Sequence, residues 1–424
     1  MRAGLILFTL LLIINLGAQE FDPDSLFEDM DEDSLFGLTE EEAVEEEEVT
    51  ESPLESLEGE ADKFLWGGRI YSDLGSSFVW NDELSDLDGW ADDTVWYPQF
   101  GLDLYFDARP NPNFRVFAKA KAFYPFDGSI ENCFSIHELF TDFNYDNKVY
   151  FRIGKQTINW GVGYLFKATD KLNLSPLDPT NRDGDIEGPL ALKIQVPLGV
   201  NTIYLYGVAN EIEHPEDITY APKVEFLIGN WELGGGGILN PSLTPKGAVF
   251  VTGPMGPLDF FAEALFQYGS DLDFFSQVDP PVFENRENQL VFSGTTGVFF
   301  RDAEKRFVAI GQYWYDGEAQ SADDWSLTGH HFAGLSLQKG FLLQPEKSRS
   351  GILNLSLLWL GDFSDGSGMI LPEIEWEPIE YAAIALGATL RYGNELSYYR
   401  YGGPEYSMAP LEVKLSLRLG YGNY

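Results

Sequence analysis

Basic residues are scarce: 27 Lys and Arg stand against 68 Asp and Glu in 424 residues, a formal net charge of −41. A phosphate backbone needs a basic stripe. None is present, which argues against a nucleic-acid-binding surface. Cysteine is limited to Cys133, which excludes an intramolecular disulfide framework and a cysteine-rich zinc site. Histidine numbers only four. His330 and His331 are adjacent, so in a strand they point to opposite faces and do not chelate one metal together, and His137 and His214 stand at no ligand-like spacing to them. Neither a Gly-x-Ser-x-Gly elbow nor a His-Glu-x-x-His pair occurs. Gly234 to Gly237 are not followed by Gly-Lys-Ser/Thr, so they read as bare backbone in a curved strand rather than a phosphate loop. The expectation is a protein without enzymatic activity, metal or cofactor.

Long apolar runs are missing as well, apart from one at the start. Residues 1–18 place Arg2 before the apolar run 5–16 and end in the small residues Gly17 and Ala18, the pattern of a secretory signal peptide. The run falls short of the ~20 residues that a spanning helix needs. Beyond residue 63 no stretch approaches that length, so the exported chain is either soluble or crosses a membrane as strands. Residues 19–63 form a separate region. Twenty acidic residues fall in 20–62, with clusters at 40–42 and 45–48 and no Lys or Arg. Such a segment repels itself and buries no core, and it is expected to be a disordered arm on the periplasmic side. Within it Asp24-Ser25-Leu26-Phe27 recurs as Asp33-Ser34-Leu35-Phe36. The repeat reads either as a docking motif for a periplasmic partner or as part of a solvated leader.

What the chain has in abundance is aromatic residues, at 15%, with 43 glycines and 23 prolines to punctuate short elements. From residue 64 to 424 the dominant signal is period two in segments of about ten residues. Trp96, Phe100, Leu102, Leu104 and Phe106 oppose Gln99, Asp103, Tyr105 and Asp107. Phe114, Val116, Ala118, Ala120 and Ala122 oppose Arg115, Lys119 and Lys121. The pattern returns with Leu190, Leu192, Ile194 and Val196 against Lys193 and Gln195, and with Leu258, Phe260, Ala262, Ala264 and Phe266 against Asp259, Glu263 and Gln267. About sixteen to eighteen such segments are too many for one sandwich. The expected fold is all-β, a transmembrane antiparallel β-barrel of about 18 strands, with 16 as the other count. Aromatics at segment ends, among them Trp66, Trp80, Trp96, Tyr124, Tyr313 to Tyr315, Trp359 and Trp376, read as interfacial girdles against outer-membrane lipid.

The last segment alternates Val413, Leu415, Leu417, Leu419 and Tyr421 with Lys414, Ser416, Arg418 and Gly420, and the chain given ends on Tyr424. This ending resembles the C-terminal strand of bacterial outer-membrane barrels. The resemblance implies insertion in the outer membrane and recognition of that strand by the barrel assembly machinery. Closure pairs it with the first strand, near Trp66 to Trp80.

Residues 152–187 depart from the pattern. A strand running to about Trp160-Gly161 is followed by a connection of some 25 residues, punctuated at Ser175-Pro176, Asp178-Pro179 and Asp183-Gly184; a long, ordered connection of this kind is usually functional. Gly154-Lys155-Gln156, Asn159-Trp160-Gly161, Asp170, Asn173 and Pro176 to Pro179 resemble the Gly-Arg/Lys-Gln…Trp-Gly…Asp…Asn-Pro…Asp signature of porin-like outer-membrane proteins, distantly similar to alginate exporters and the phosphate- and carbohydrate-selective porins. The motif covers about 30 residues, and it departs from the pattern at Lys155 and at Ser175-Pro176. The acidic leader is also similar to those of exported spirochaete proteins.

Two readings of this segment stay open. Arg152, Lys155, Gln156, Asp170, Asp178, Asp183 and Asp185 could form a charged constriction. Alternatively the same residues form a hydrogen-bonded network that ties a long loop to the wall. Either way the loop should fold inward or cap the rim, because unpaired charge in a confined lumen is unfavourable. Lys119, Lys121, Lys193, Arg152 and Arg418 are among the candidates expected to face inward. The expected function is passive diffusion of small hydrophilic solutes through the lumen. The rival is a closed structural or adhesive barrel whose surface loops, with candidates at 81–93 and 269–289, do the binding.

Overall fold

In the computed structural model the described residues are 64–80, 94–125, 133–180, 186–210, 214–277, 282–285, 288–319, 329–343, 351–379, 382–403 and 406–419. The signal peptide, the acidic arm with its Ser-Leu-Phe repeat, Asp183, Asp185, the connection 81–93 and the final residues 420–424 lie outside them.

Eighteen antiparallel strands form one sheet. In chain order they are β1 (Phe64–Trp80), β2 (Thr94–Asn111), β3 (Phe114–Tyr124), β4 (Phe134–Tyr145), β5 (Val149–Lys155), β6 (Leu190–Leu198), β7 (Asn201–Val208), β8 (Thr219–Ile228) and β9 (Trp231–Ile238). There follow β10 (Lys246–Met255), β11 (Leu258–Tyr268), β12 (Leu290–Asp302), β13 (Phe307–Asp316), β14 (His330–Leu342), β15 (Ile352–Asp362), β16 (Ser367–Ile379), β17 (Ala382–Tyr392) and β18 (Leu411–Leu419). Each strand pairs with its sequence neighbours, and β18 closes the sheet on β1 from Ser72↔Leu419 to Trp80↔Leu411. No edge of this sheet is left open to lipid, which a membrane barrel requires.

Burial runs opposite to that of a soluble protein. On β2, Asp103 and Asp107 are 8% and 7% exposed, while Leu104, on the alternate face, is 44% exposed. β11 repeats this with buried Glu263 and Gln267 beside exposed Phe266, and β18 with buried Ser416 beside exposed Leu415. The apolar set therefore faces outward and the polar set lines the lumen, the polarity of a barrel in a bilayer. Trp66, Trp96, Tyr124 and Trp376 are exposed on the outer side as the girdle reading requires. Trp314 is an exception within its cluster: it faces inward and stacks on Phe332.

The connections 112–113, 146–148, 199–200, 229–230, 256–257 and 303–306 are tight turns at the end where residue 64 and residue 419 lie. The longer connections fall at the opposite end, including 156–189, 269–289, 317–329 and 393–410. Two of them carry their own hairpins, at Asp273–Gln277 with Val282–Asn285 and at Tyr401–Gly403 with Tyr406–Ser407.

Candidate functional site: a lumen with one packed wall and one charged wall

Residues 156–173 of the loop do not cap the rim but turn into the barrel. The strand expected to reach Trp160-Gly161 stops at Lys155, because Gly154 takes a φ of +138 and Gln156 leaves the ladder. The Gln156 amide donates from its backbone to the Pro189 carbonyl and from Nε2 to the Ala191 carbonyl at 2.9 Å, which pins the loop's two feet together. Gly188 is required there, since a Cβ would lie 2.0 Å from the Gln156 carbonyl oxygen.

From this base the chain crosses the lumen. Ile158, Trp160 and Leu172 pack with Ala191, Tyr206, Ala221 and Leu265, burying one end of the loop against β6 to β11. Leu165 and Phe166 pack with Phe332, Leu360 and Tyr399 on the far side, against β14 and β15. Burial of each such side chain contributes about 1.5–3 kcal/mol. The glycines in β9 serve this contact: a Cβ on Gly236 would lie 2.9 Å from the Trp160 ring, and one on Gly234 would enter the Phe250 ring.

Loop backbone removed from water needs partners, and two wall side chains supply them. The Glu263 carboxylate on β11 accepts N–H groups from Val162 at 2.6 Å, Gly163 at 3.2 Å and Thr169 at 3.1 Å. Gln312 on β13 accepts from the Tyr164 and Leu165 N–H groups at 3.1 and 2.7 Å and donates to the Phe166 carbonyl at 2.6 Å. The pair works as a strand edge made of side chains. Gly161 makes the approach possible: its φ is +99, and a Cβ would lie 2.1 Å from Glu263 Oε2. Neither Glu263 nor Gln312 stood out in the sequence as an anchor. Glu263 was visible only as one polar position of an alternating strand.

The motif residues divide among several roles. Asn173 accepts the Ile158 N–H at 2.9 Å, donates to the Ile158 carbonyl at 2.8 Å and donates to Asp170 at 2.8 Å, so it zips the outgoing and returning limbs. Burial pushes the Asp170 carboxyl up from the ordinary carboxylate range, and the Lys167 charge and the Asn173 hydrogen bond pull it back only in part. The other Asp170 oxygen is buried without a hydrogen-bond partner. The Asn159 carbonyl accepts from Lys223 at 3.2 Å. Asp178 is exposed and accepts the Thr180 N–H and hydroxyl in a local turn, between exposed Pro176 and half-buried Pro179. Lys155 sits at the rim and pairs with Glu187. The expected constriction set is thus not brought together: Lys155, Gln156, Asp170 and Asp178 belong to the loop's own framework, and of the described candidates only Arg152 joins the lumen wall.

That wall carries an arc of cations from β3 to β8. Arg115, Lys119 and Lys121 share the inner face of β3, followed by Arg152, Lys193 and Lys223. Arg115 and Arg152 both reach Asp142, at 3.7 and 2.7 Å. Arg152 lies 3.9 Å over the Phe140 ring, and Lys223 pairs with Glu225 at 2.6 Å while sitting against Trp160, Tyr204 and Phe250. Lys193 differs. Its ammonium lies 5.2 Å over Tyr204, next to Arg152 in the ladder, and among the described residues it meets no carboxylate at ion-pairing distance. Across the lumen, Glu373, Glu375 and Glu377 share the inner face of β16, and Glu375 pairs with Arg418 at 2.5 Å.

Closure, inverted polarity and an inward-folded loop settle the architecture. The chain is a closed antiparallel β-barrel of 18 strands with the outward-apolar face of a membrane barrel. No protein-family model and no curated protein matches it. Among solved structures it is similar to OccAB1 of Acinetobacter baumannii, at 8% identity over 85% of this chain and 96% of that one with a TM-score of 0.48. It is likewise similar to OccK9 of Pseudomonas aeruginosa, at 6% identity over 84% and 98% with a TM-score of 0.48. A third is Wzi of Escherichia coli, described as an outer-membrane carbohydrate-binding β-barrel involved in group 1 capsule assembly, at 8% identity over 84% and 85% with a TM-score of 0.46.

Proposed function

We propose that the barrel is an outer-membrane channel for passive diffusion of small hydrophilic solutes, with a preference for anions. The observation that carries this reading is Lys193, a lumen-facing cation that meets no carboxylate of the described residues at ion-pairing distance. Its neighbours Arg152 and Lys223 are paired with Asp142 and Glu225, and Glu375 is paired with Arg418, so Lys193 is the cation left to select passing solutes by charge. Lys193 is the residue to hold a passing anion, since its charge is not already committed to a carboxylate of the described chain. The signal peptide would export the chain, the C-terminal strand would engage the assembly machinery, and the acidic arm would lie on the periplasmic side with the tight turns, free to meet a partner there.

A second reading, an electrically silent structural or adhesive barrel, is favoured by one observation: the loop reaches from β6 to β15 and buries apolar side chains at both ends. Conductance of the purified chain in planar bilayers separates the two. Steady open-channel steps, with a reversal potential toward anion selectivity in a salt gradient, are expected for the channel. Insertion without conductance establishes the silent barrel.

A further inference from the structure

The loop end of the barrel holds a cluster that the channel reading does not use. His330 opens β14, Asp362 ends β15 and Asp365 lies in the turn that follows. One ligand atom from each lies within 4.8 Å of the other two. His330 Nδ1 meets Asp362 Oδ2 at 2.5 Å, with both side chains shut off from solvent. His331, on the opposite face, hydrogen-bonds Tyr313 on the outside of the barrel. The adjacent pair of histidines therefore cannot share a metal, but the inward one has two carboxylates beside it.

The charge balance around this cluster is unusual. Asp316 pairs with His330 across the β13–β14 ladder, and the Tyr398 ring lies 6.4 Å from the His330 ring. Among the described residues none of Asp316, Asp362 and Asp365 meets a lysine or arginine at ion-pairing distance. Their hydrogen bonds come instead from Ser293, Ser364, Ser367, His330 and the Glu318 and Tyr398 N–H groups. One imidazolium balances one carboxylate at most; Asp362 is fully buried and Asp316 and Asp365 half-buried beside it, and carboxylates gathered this closely are costly without a counter-ion.

We propose that His330, Asp362 and Asp365 bind a divalent first-row transition cation such as Mn²⁺ or Zn²⁺. One imidazole nitrogen with carboxylate oxygens suits these ions better than Ca²⁺ or Mg²⁺, which take oxygen ligands. Ligand atoms bound to one such ion stand about 3–4 Å apart when each bond is about 2.1 Å, so the ion parts the 2.5 Å His330–Asp362 contact and is received by three ligand atoms that already lie within 4.8 Å of one another. The ion fastens three pieces of chain to one another. Asp365 Oδ2 accepts the Tyr398 N–H at 2.6 Å, and Tyr398 packs on Phe332, which packs on Phe166 of the inward loop. A cation here secures the connection 393–410 and, through Phe332, the far anchor of the lumen loop.

The experiment uses the full detergent-folded chain and Mn²⁺ read by electron paramagnetic resonance. About one equivalent should leave the free-ion signal, and the bound ion should show nitrogen modulation. That modulation separates this site from the acidic arm, which contains no histidine. Zn²⁺ should raise the temperature at which heat-modifiable gel mobility is lost. Asp365→Asn, the mildest change because Asp365 is only half-buried, should weaken uptake at least tenfold with the barrel still folded, and His330→Gln should abolish the nitrogen modulation. Free-ion signal undiminished in the parent chain overturns the proposal. So does uptake without nitrogen modulation, or uptake unchanged in both variants, because either places the ions elsewhere.

Discussion

The two sides of this lumen are built by different rules. From β6 to β15 the wall is a protein interior: Tyr206, Ala221, Leu265, Phe332 and Leu360 are buried under the loop, and its polar groups, Glu263 and Gln312, are spent on loop backbone. From β16 through β18 to β5 the wall is a charged surface that runs on, beside the loop, to Lys193 of β6 and Lys223 of β8; there Glu375 pairs with Arg418, Arg115 with Asp107, Arg152 with Asp142 and Lys223 with Glu225. On the first wall a lost partner strands a desolvated group. On the second, solvent and neighbouring charges make up most of the loss. Mutations should therefore change structure on the packed side and selectivity on the charged side.

The largest effect is expected at Glu263. Glu263→Ala removes the acceptor of three buried N–H groups, and hydrogen bonds to a charged acceptor are worth about 1.5–3 kcal/mol each. The loop should detach with a loss of at least about 5 kcal/mol, seen as fast hydrogen exchange at 160–170 and as larger channel conductance, with the barrel itself still resistant to detergent. Unchanged exchange in that segment would mean that apolar packing alone holds the loop and that the anchor carries little.

Next in size is Trp160→Ala, which empties a fully buried site between Tyr206 and Gly236. Truncating a buried Trp costs about 3–5 kcal/mol, here shared between the loop and β7 to β9. The expected readout is a lower temperature for loss of heat-modifiable mobility than in the parent, with the far anchor at Phe166 retained. Gly236→Phe is no compensation, since the Pro222 carbonyl already lies 2.2 Å from where its Cβ would sit.

These two predictions mark the boundary of what the amino-acid sequence discloses. The strands were legible because each needs only its own alternation, and the closing pair of β1 with β18 follows once every edge must be covered. The inward path of the loop was legible only as a cost argument about its charges. Its anchors were not, because Glu263 lies about 100 residues and Gln312 almost 150 residues from the N–H groups they accept, and along their own strands both look like ordinary lumen-facing polar positions. The early end of β5 was hidden for a related reason: Thr157, Ile158 and Trp160 continue a strand-like composition, and only the tertiary partners of Gln156 and Asn173 divert them. His330 and Asp362 are 32 positions apart and meet through the β14–β15 pairing. Spacing rules for metal ligands do not reach that far.

On the charged side the effects should be small in stability and visible in transport. Lys193→Gln keeps most of the side chain near Tyr204 and removes its charge; the expected change is a reversal potential shifted toward cations, with stability altered by about 1 kcal/mol or less. Arg152→Ala should shift selectivity in the same direction but cost more stability than Lys193→Gln, because it also leaves Asp142 with Arg115 alone at 3.7 Å and uncovers the Phe140 ring. Reversal potentials identical to the parent in both variants would place the solute path away from this arc.

The smallest effect belongs to Asp170, and its sign follows from burial. The folded loop holds this carboxyl above its ordinary range, so it binds the proton more tightly when folded than when detached. Its contribution is therefore fully favourable below the unfolded value of about 3.9 and is lost as pH rises through the higher folded value. Loop protection should rise as pH falls from neutrality into the upper carboxylate range, measured as hydrogen exchange at 160–173 after correction for intrinsic rates. Asp170→Asn resembles the protonated group, placing an amide where the second oxygen now lacks a partner and leaving the other oxygen for Asn173. At neutral pH the variant loop should be at least as well protected as the parent, and the part of its pH dependence due to this residue should vanish. A variant loop that opens at neutral pH would instead show that the charged form of Asp170 is what the returning limb requires, with the Asn173 hydrogen bond outweighing the desolvation that opposes it.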